Sequence, residues 1–225
     1  MEIATLDHIA LWVSDRDRLA DFCAAHLGMH VITRTDSFTL VGADARRGKL
    51  TLFAAEGKRE QGPLVRVAFR VRALDEALAL LPRDLPVARS GSTALFGAPE
   101  GLGLGLVEAD GAEYDIDHVV LRVPDPPQTF RDLLRYGLED DGGRLRAGDS
   151  WVELEAGEPG EPVRPLLNHL GFLVESAGAH LVEAESLGLE VADVVDAANT
   201  CAVFLWGPER IKLEYVEHKP TFSLV

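Results

Sequence analysis

Four stretches of this chain alternate apolar and polar positions with period two, and a helical pattern follows each. In the fourth, Leu167–Val174, residues Leu170, Phe172 and Val174 face one way while Leu167, His169, Gly171 and Leu173 face the other. One face is aliphatic, and the other carries a histidine with a small glycine beside it, which leaves room. The first unit reads as a strand over 6–13, a helix over 15–27 capped by Ser14 or Asp15 and stopped by Gly28, then strands near 30–35, 37–42 and 49–55. The second starts at Val65–Phe69, has a helix from 74 stopped by Pro82, and ends in Leu102–Val107. The third starts at Asp117, has a helix led by Pro126 and Pro127 and stopped by Gly137, and ends at Trp151–Glu155. The fourth runs from Asn168 through a helix stopped by Gly188 to the strand Ile211–Tyr215.

These units form a longer repeat. Leu6-Asp7-His8-Ile9-Ala10-Leu11-Trp12-Val13 is echoed 110 residues later by Ile116-Asp117-His118-Val119-Val120-Leu121-Arg122-Val123, and Ala98-Pro99-Glu100 by Gly207-Pro208-Glu209. The pattern predicts an α+β protein of four βαβββ units in two tandem domains with curved mixed sheets, residues 1–110 and 116–218, followed by a tail over 219–225.

The 225 residues suffice for a full core without staples. Cys23 and Cys201 share no metal-binding or redox motif, and no apolar run approaches a membrane span, so a reduced, cytoplasmic protein is expected. The net charge of −15 opposes nucleic acid and anionic lipid and leaves small molecules as the partner class. A homo-oligomer is compatible with the sequence.

His118 occupies the same face of its strand as His169 does. In the closing strands, Glu214 and Glu153 lie opposite the aliphatic positions. Two histidines with one or two carboxylates on a sheet face are ligands for a divalent transition metal, and three leave adjacent positions open for substrate and oxygen. Glu153 is a solvent-facing residue, a fourth ligand or a catalytic base. Arg122 either forks an anionic substrate group or is a solvated rim arginine. Phe204 and Trp206 share a face with Thr200 beside Glu214, as a cavity wall or as ordinary core. His26, His30, His180 and His218 are assigned to the surface. Gly101-Leu102-Gly103-Leu104-Gly105 lacks nucleotide-loop spacing and suggests a close-packed cavity floor.

The chain resembles the vicinal oxygen chelate superfamily of glyoxalases, bleomycin-resistance proteins, epimerases and extradiol dioxygenases over nearly its whole length. The resemblance rests on the openings Asp7-His8 and Asp117-His118, the helix end Leu27-Gly28-Met29, the stretch Asn168-His169-Leu170-Gly171-Phe172, and Gly207-Pro208-Glu209 before Lys212-Leu213-Glu214. It implies ligand positions at His118, Glu153, His169 and Glu214 in the C-terminal half and at His8, Thr51, Arg66 and Gly105 in the N-terminal half, the latter a degenerate scaffold. The acid–base histidines and tyrosine of extradiol enzymes have no counterpart before His169 or Glu214.

The reading that follows is a metal-dependent enzyme with metal on His118, His169 and Glu214, Glu153 as the candidate catalytic group, and Arg122, Thr200, Phe204 and Trp206 against substrate. Its reaction is expected to be oxygen-dependent cleavage of an aromatic diol on Fe(II), with Mn, Ni or Zn as other metals. The alternatives are glyoxalase- or epimerase-type proton transfer at a four-ligand site, and a non-catalytic resistance-type binding protein for a hydrophobic ligand.

Overall fold

The computed structural model describes residues 1–111 and 113–225. Unit 1 comprises β1 (Thr5–Val13), α1 (Arg16–His26), β2 (His30–Arg34), β3 (Phe38–Gly42) and β4 (Lys49–Ala54). Unit 2 comprises β5 (Leu64–Val71), α2 (Leu74–Ala79), β6 (Val87–Ser90), β7 (Thr93–Gly97) and β8 (Gly103–Glu108). Unit 3 comprises β9 (Ile116–Val123), α3 (Pro126–Leu133), β10 (Glu139–Asp141), β11 (Arg144–Ala147) and β12 (Ser150–Ala156). Unit 4 comprises β13 (Leu167–Leu173), α4 (Ala177–Ser186), β14 (Val191–Asp196), β15 (Thr200–Trp206) and β16 (Lys212–His218).

Three helices start on side-chain caps. Asp15 accepts from the Arg18 N–H at 2.9 Å, Asp125 from Gln128 at 3.0 Å with Pro126 in the first turn, and Ser176 from Ala179 at 3.2 Å. Each satisfies a backbone donor that the helix itself cannot, worth about 1 kcal/mol.

The strands form two eight-stranded mixed sheets, and neither corresponds to one half of the chain. The first runs β14-β15-β16-β13-β1-β4-β3-β2, and the second β10-β11-β12-β9-β5-β8-β7-β6. Unit 1 thus shares a sheet with unit 4, and unit 2 with unit 3. The expected division at residues 1–110 and 116–218 describes the sequence repeat, not the sheets. The cause lies in the link between β8 and β9. It hugs the end of β5, with Ala109 N–H on Val71 O at 3.0 Å, Tyr114 N–H on Arg70 O at 2.8 Å and Arg70 N–H on Asp115 O at 2.8 Å. The chain is thereby delivered to the free edge of β5, where β9 pairs antiparallel. The first strand of unit 1 is left to the first strand of unit 4, and β1 runs antiparallel to β13.

The period-two pattern now has a physical meaning. Ile9, Leu11 and Val13 of β1, Leu50 and Leu52 of β4, Phe172 of β13 and Leu213 and Tyr215 of β16 are fully buried in the apolar core. Helices α1 and α4 pack against this sheet, and burial of each such side chain contributes about 1.5–3 kcal/mol. The alternate residues of the same strands form the opposite face, and there the polar chemistry collects. Charged groups join the two sheets at one end, where Arg47 donates to Asp115 at 2.5 Å and to Asp149 at 2.6 Å, and Arg70 reaches Asp117 at 3.1 Å within the second sheet. No helix among the described residues is long and apolar enough to cross a membrane.

Candidate metal centre

On the polar face of the first sheet, three side chains from three neighbouring strands converge. His8 lies on β1, His169 on β13 and Glu214 on β16. In register, Gly171 of β13 stands opposite His8 on one side and beside Glu214 on the other, and Ala10 stands opposite His169. A Cβ at Gly171 would lie 2.3 Å from His8 Cε1. Only glycine lets the imidazole swing across β13 towards its partners, and every other side chain would displace it. The three donor atoms nearly touch. His8 Nε2 is 3.0 Å from His169 Nε2 and 3.0 Å from Glu214 Oε2, and His169 Nε2 is 2.7 Å from that same oxygen. The three residues are the one group of metal-ligating type that meets among the described residues, and all are buried.

Each imidazole is aimed by its other nitrogen. His8 Nδ1 lies 2.7 Å from Asp7 Oδ2, and His169 Nδ1 lies 3.0 Å from Asn168 Oδ1. Donation from Nδ1 to these oxygens leaves both Nε2 lone pairs directed at the common point, as metal-binding histidines require. Asp7 is itself held: its Oδ1 accepts from Lys49 Nζ at 2.8 Å and lies 3.1 Å from His218 Nε2. Burial would raise the Asp7 carboxyl, yet the Lys49 charge and the bonds from His218 and His8 hold it well below the usual carboxylate range.

The one positive charge among the three donors is a proton on His8. Burial disfavours a charged His8, but the Glu214 carboxylate and the bond to Asp7 outweigh it and raise the ring to about 9. Burial likewise pushes Glu214 up, and the His8 charge with the bond from His169 overrides this, holding it at about 2. His169 is lowered, by burial first, with Glu214 opposing. One proton therefore sits among three donors where a cation would satisfy all three. The separations also fit an ion: donors about 2.1 Å from a common metal lie about 3.0 Å apart on an octahedral face and about 3.4 Å apart on a tetrahedral one. The observed spacings of 2.7 to 3.0 Å are short enough for one ion to reach all three donors.

The fourth position in this sheet, on β4, holds Thr51, which pairs with Ala10 and is buried. Aromatic rings flank the cluster. Phe204 meets the His169 ring edge-on at 5.2 Å, Phe53 lies 6.2 Å from it, and Trp12 and Phe38 pack on Phe53 at 5.5 and 5.9 Å. Thr200, Phe204 and Trp206 pair in register with His218, Glu214 and Lys212 and share their face.

The expected ligand set changes in one member. His169 and Glu214 come together, but His118 lies on β9 in the second sheet, and His8 takes the place assigned to it. The unit pairing is the reason, since β1 and not β9 is the neighbour of β13. Glu153 also belongs to the second sheet, where it pairs with Arg144 at 2.7 Å and is no part of this cluster. Arg122 is in that sheet too, forked onto Glu155 at 2.9 and 2.6 Å. His180, assigned to the surface, is buried on the inner side of α4 and stacks on Tyr215 at 5.1 Å. His218, also assigned there, is the partner of Asp7. The Asp7-His8 pair and the glycine two residues after His169 were the available signals.

Comparison with known proteins finds likenesses of part of the sequence and of the fold. Residues 5–83 match the family model of the Glyoxalase/Bleomycin resistance protein/Dioxygenase superfamily. No curated protein sequence matches the chain. Among solved structures, one described as a putative dioxygenase from Bacillus subtilis superposes with a TM-score of 0.81 at 18% identity, covering 98% of this chain and 87% of the other. Glyoxalase I from Zea mays gives 0.73 at 16% identity, covering 95% and 92%. The cppA protein from Streptococcus pneumoniae gives 0.64 at 16% identity, covering 96% and 98%. At these identities the likeness is one of fold.

Proposed function

We propose that this chain belongs to the Glyoxalase/Bleomycin resistance protein/Dioxygenase superfamily, whose family model matches residues 5–83, and that it is an Fe(II)-dependent oxygenase that opens the ring of an aromatic diol. The observation that carries this reading is the three-donor set of His8, His169 and Glu214 with Thr51, a poor ligand, at the fourth position. A site of two histidines and one carboxylate with open adjacent positions is the iron(II) oxygenase pattern. His8, His169 and Glu214 would hold the iron, which would supply Lewis-acid and redox chemistry at two vicinal oxygens, with the diol itself the net electron donor to O₂. A proton-transfer reaction of the four-ligand type draws on a carboxylate at the Thr51 position, and Glu153 is not available to it.

The chain's own residues do the rest. Asp7 and Asn168 fix the two imidazoles, and Gly171 gives the first of them its space. Trp12, Phe38, Phe53 and Phe204 offer apolar surface for a flat ring and exclude water from the iron-side face. His218 Nε2 and Lys49 Nζ, both on Asp7 Oδ1, hold the carboxylate that aims His8.

The test is anaerobic loading with Fe(II), elemental analysis, and oxygen uptake with a panel of substituted catechols. The expected result is one iron per chain, lost in His169→Ala, and uptake stoichiometric with ring-opened product. A flat oxygen trace from the iron-loaded protein with every catechol removes the dioxygenase reading. Tight zinc or nickel with proton exchange next to a carbonyl would point to the lyase or isomerase class instead, and absence of any metal to a binding protein.

A further inference from the structure

The second sheet carries the same four positions with opposite chemistry. His118 on β9 corresponds to His8, Glu153 on β12 to Thr51, Arg66 on β5 to His169, and Gly105 on β8 to Glu214. One ligand has become a guanidinium and the ligand carboxylate has become a glycine. A site that attracts a cation is thereby turned into one that attracts an anion.

We propose that this face is a second binding site, for a small oxyanion, with a planar carboxylate the best fit and phosphate sharing its chemistry. Arg66 is the first support. Its one acidic neighbour is Glu153, 3.9 Å from Nη2 and beyond hydrogen-bond reach, and its buried Nε has no partner. Arg144 is the second: Nη2 holds Glu153 Oε1 at 2.7 Å, but its buried Nε is also unpartnered. Among the described residues four buried side-chain polar atoms lack a partner, and these two nitrogens on one sheet face are half of them. The third is His118, whose Nδ1 is fixed on Asp117 at 2.7 Å while Nε2 looks towards Glu153 Oε2 across 4.0 Å.

Two guanidiniums and an aimed imidazole therefore surround a single carboxylate that makes a close contact with only one of them. Glu153 is a partial, internal occupant, and an incoming oxyanion would complete the bonds that it leaves open. The arginine forks suit a carboxylate or phosphate with two parallel bonds. Trp151 lies under Arg144, 4.5 Å from the guanidinium carbon to the ring centre, and keeps that side chain in place. The remaining arginines of this face are spoken for, with Arg122 on Glu155, Arg146 on Glu139 and Arg70 on Asp115 and Asp117. The neighbouring Leu95, whose Cδ2 would lie 3.1 Å from a Cβ at Gly105, offers an apolar contact beside the charged groups. In a chain of net charge −15, an oxyanion would bind here only where local positive charge is in excess, and that excess is centred on Arg66.

The test is calorimetric titration of the full chain with sodium benzoate and, separately, inorganic phosphate, at constant ionic strength with chloride as the control. Saturable one-to-one binding is expected, weakened about tenfold by Arg66→Met and about threefold by Arg66→Lys, which keeps the charge but loses the fork. Glu153→Gln removes the internal competitor and should tighten binding about fivefold, a gain that no general loss of folding can mimic. The His169→Ala variant should bind as the parent does, because the two sheets offer separate sites. Tighter phosphate than benzoate would identify the phosphate source of the same chemistry. The proposal is overturned if neither anion saturates at concentrations on the order of 50 mM, or if Arg66→Met and Glu153→Gln both leave the affinity unchanged.

Discussion

The two sheets are built from the same βαβββ unit, and their opposite faces show how little it takes to change what such a unit does. In the first sheet Asp7 holds His8, and in the second Asp117 holds His118, each at 2.7 Å. The orienting pair survives in both. What differs is the set of residues the rings meet: His169 and Glu214 in one case, Arg66 and Gly105 in the other. Metal-ligating potential is therefore a property of the pair of units that share a sheet, not of the unit or the half of the chain.

The largest expected effect follows from that difference. His169→Ala and Glu214→Ala each remove one of three donors and should cost at least about 100-fold in metal affinity, whereas His118→Ala should leave metal content unchanged, as elemental analysis after dialysis would show. Equal loss in His118→Ala would break the comparison, because it would place the metal in the second sheet. The orienting aspartates extend the contrast at smaller scale. Asp7→Asn keeps the shape but weakens the grip on His8 Nδ1, on Lys49 and on His218, and should reduce metal affinity about 10- to 100-fold. Asp117→Asn should not alter it.

How much of this was legible in the chain depends on which interaction decided each feature. The elements are local: Asp15, Pro126 and the stop at Gly28 are caps and breakers that act within a turn, and the observed boundaries follow them. The four-unit architecture was legible because the repeat of Asp7-His8 in Asp117-His118 preserves both pattern and chemistry. His169 and Glu214 were legible as candidate ligands because both belong to one unit, whose first and last strands pair directly. The third member of the cluster, His8, was not, since it depends on which unit joins unit 4. All four opening strands are similarly aliphatic, so period-two patterning does not distinguish them. The choice is made by the link at 109–115 and by side-chain fit across the β1–β13 seam, where Gly171 accommodates His8. Glycine beside a strand histidine was visible, but whose ring filled the space was not.

Gly171→Ala tests that fit. Its Cβ would lie 2.3 to 2.7 Å from three atoms of the His8 ring, which is held on Asp7 and cannot simply rotate away. A loss of about 1–3 kcal/mol in stability is expected, with a parallel drop in metal affinity, measured by urea denaturation and metal competition. The matching change in the second sheet, Gly105→Ala, would meet Leu95 and Ala68 at 3.1 and 3.2 Å and should cost less than about 1 kcal/mol, without effect on metal. Similar costs at the two positions would mean that close packing, not ring placement, explains Gly171.

The smallest effect per step is in pH, and it sharpens the comparison most. His8 is raised from its ordinary 6.5 to about 9, so its contribution to the stability of the metal-free protein is complete below 6.5 and is lost as pH rises through about 9. Glu214 is lowered from 4.5 to about 2, so its contribution is present above 4.5 and disappears as pH falls towards about 2. A metal must displace the His8 proton, which makes binding at neutral pH release close to one proton and makes affinity climb about tenfold per pH unit up to about 9. Metal titrations in buffers of different ionisation enthalpy measure that release. Proton uptake, or an affinity flat between pH 7 and 9, would show that the proton shared by His8 and Glu214 does not occupy the metal's place.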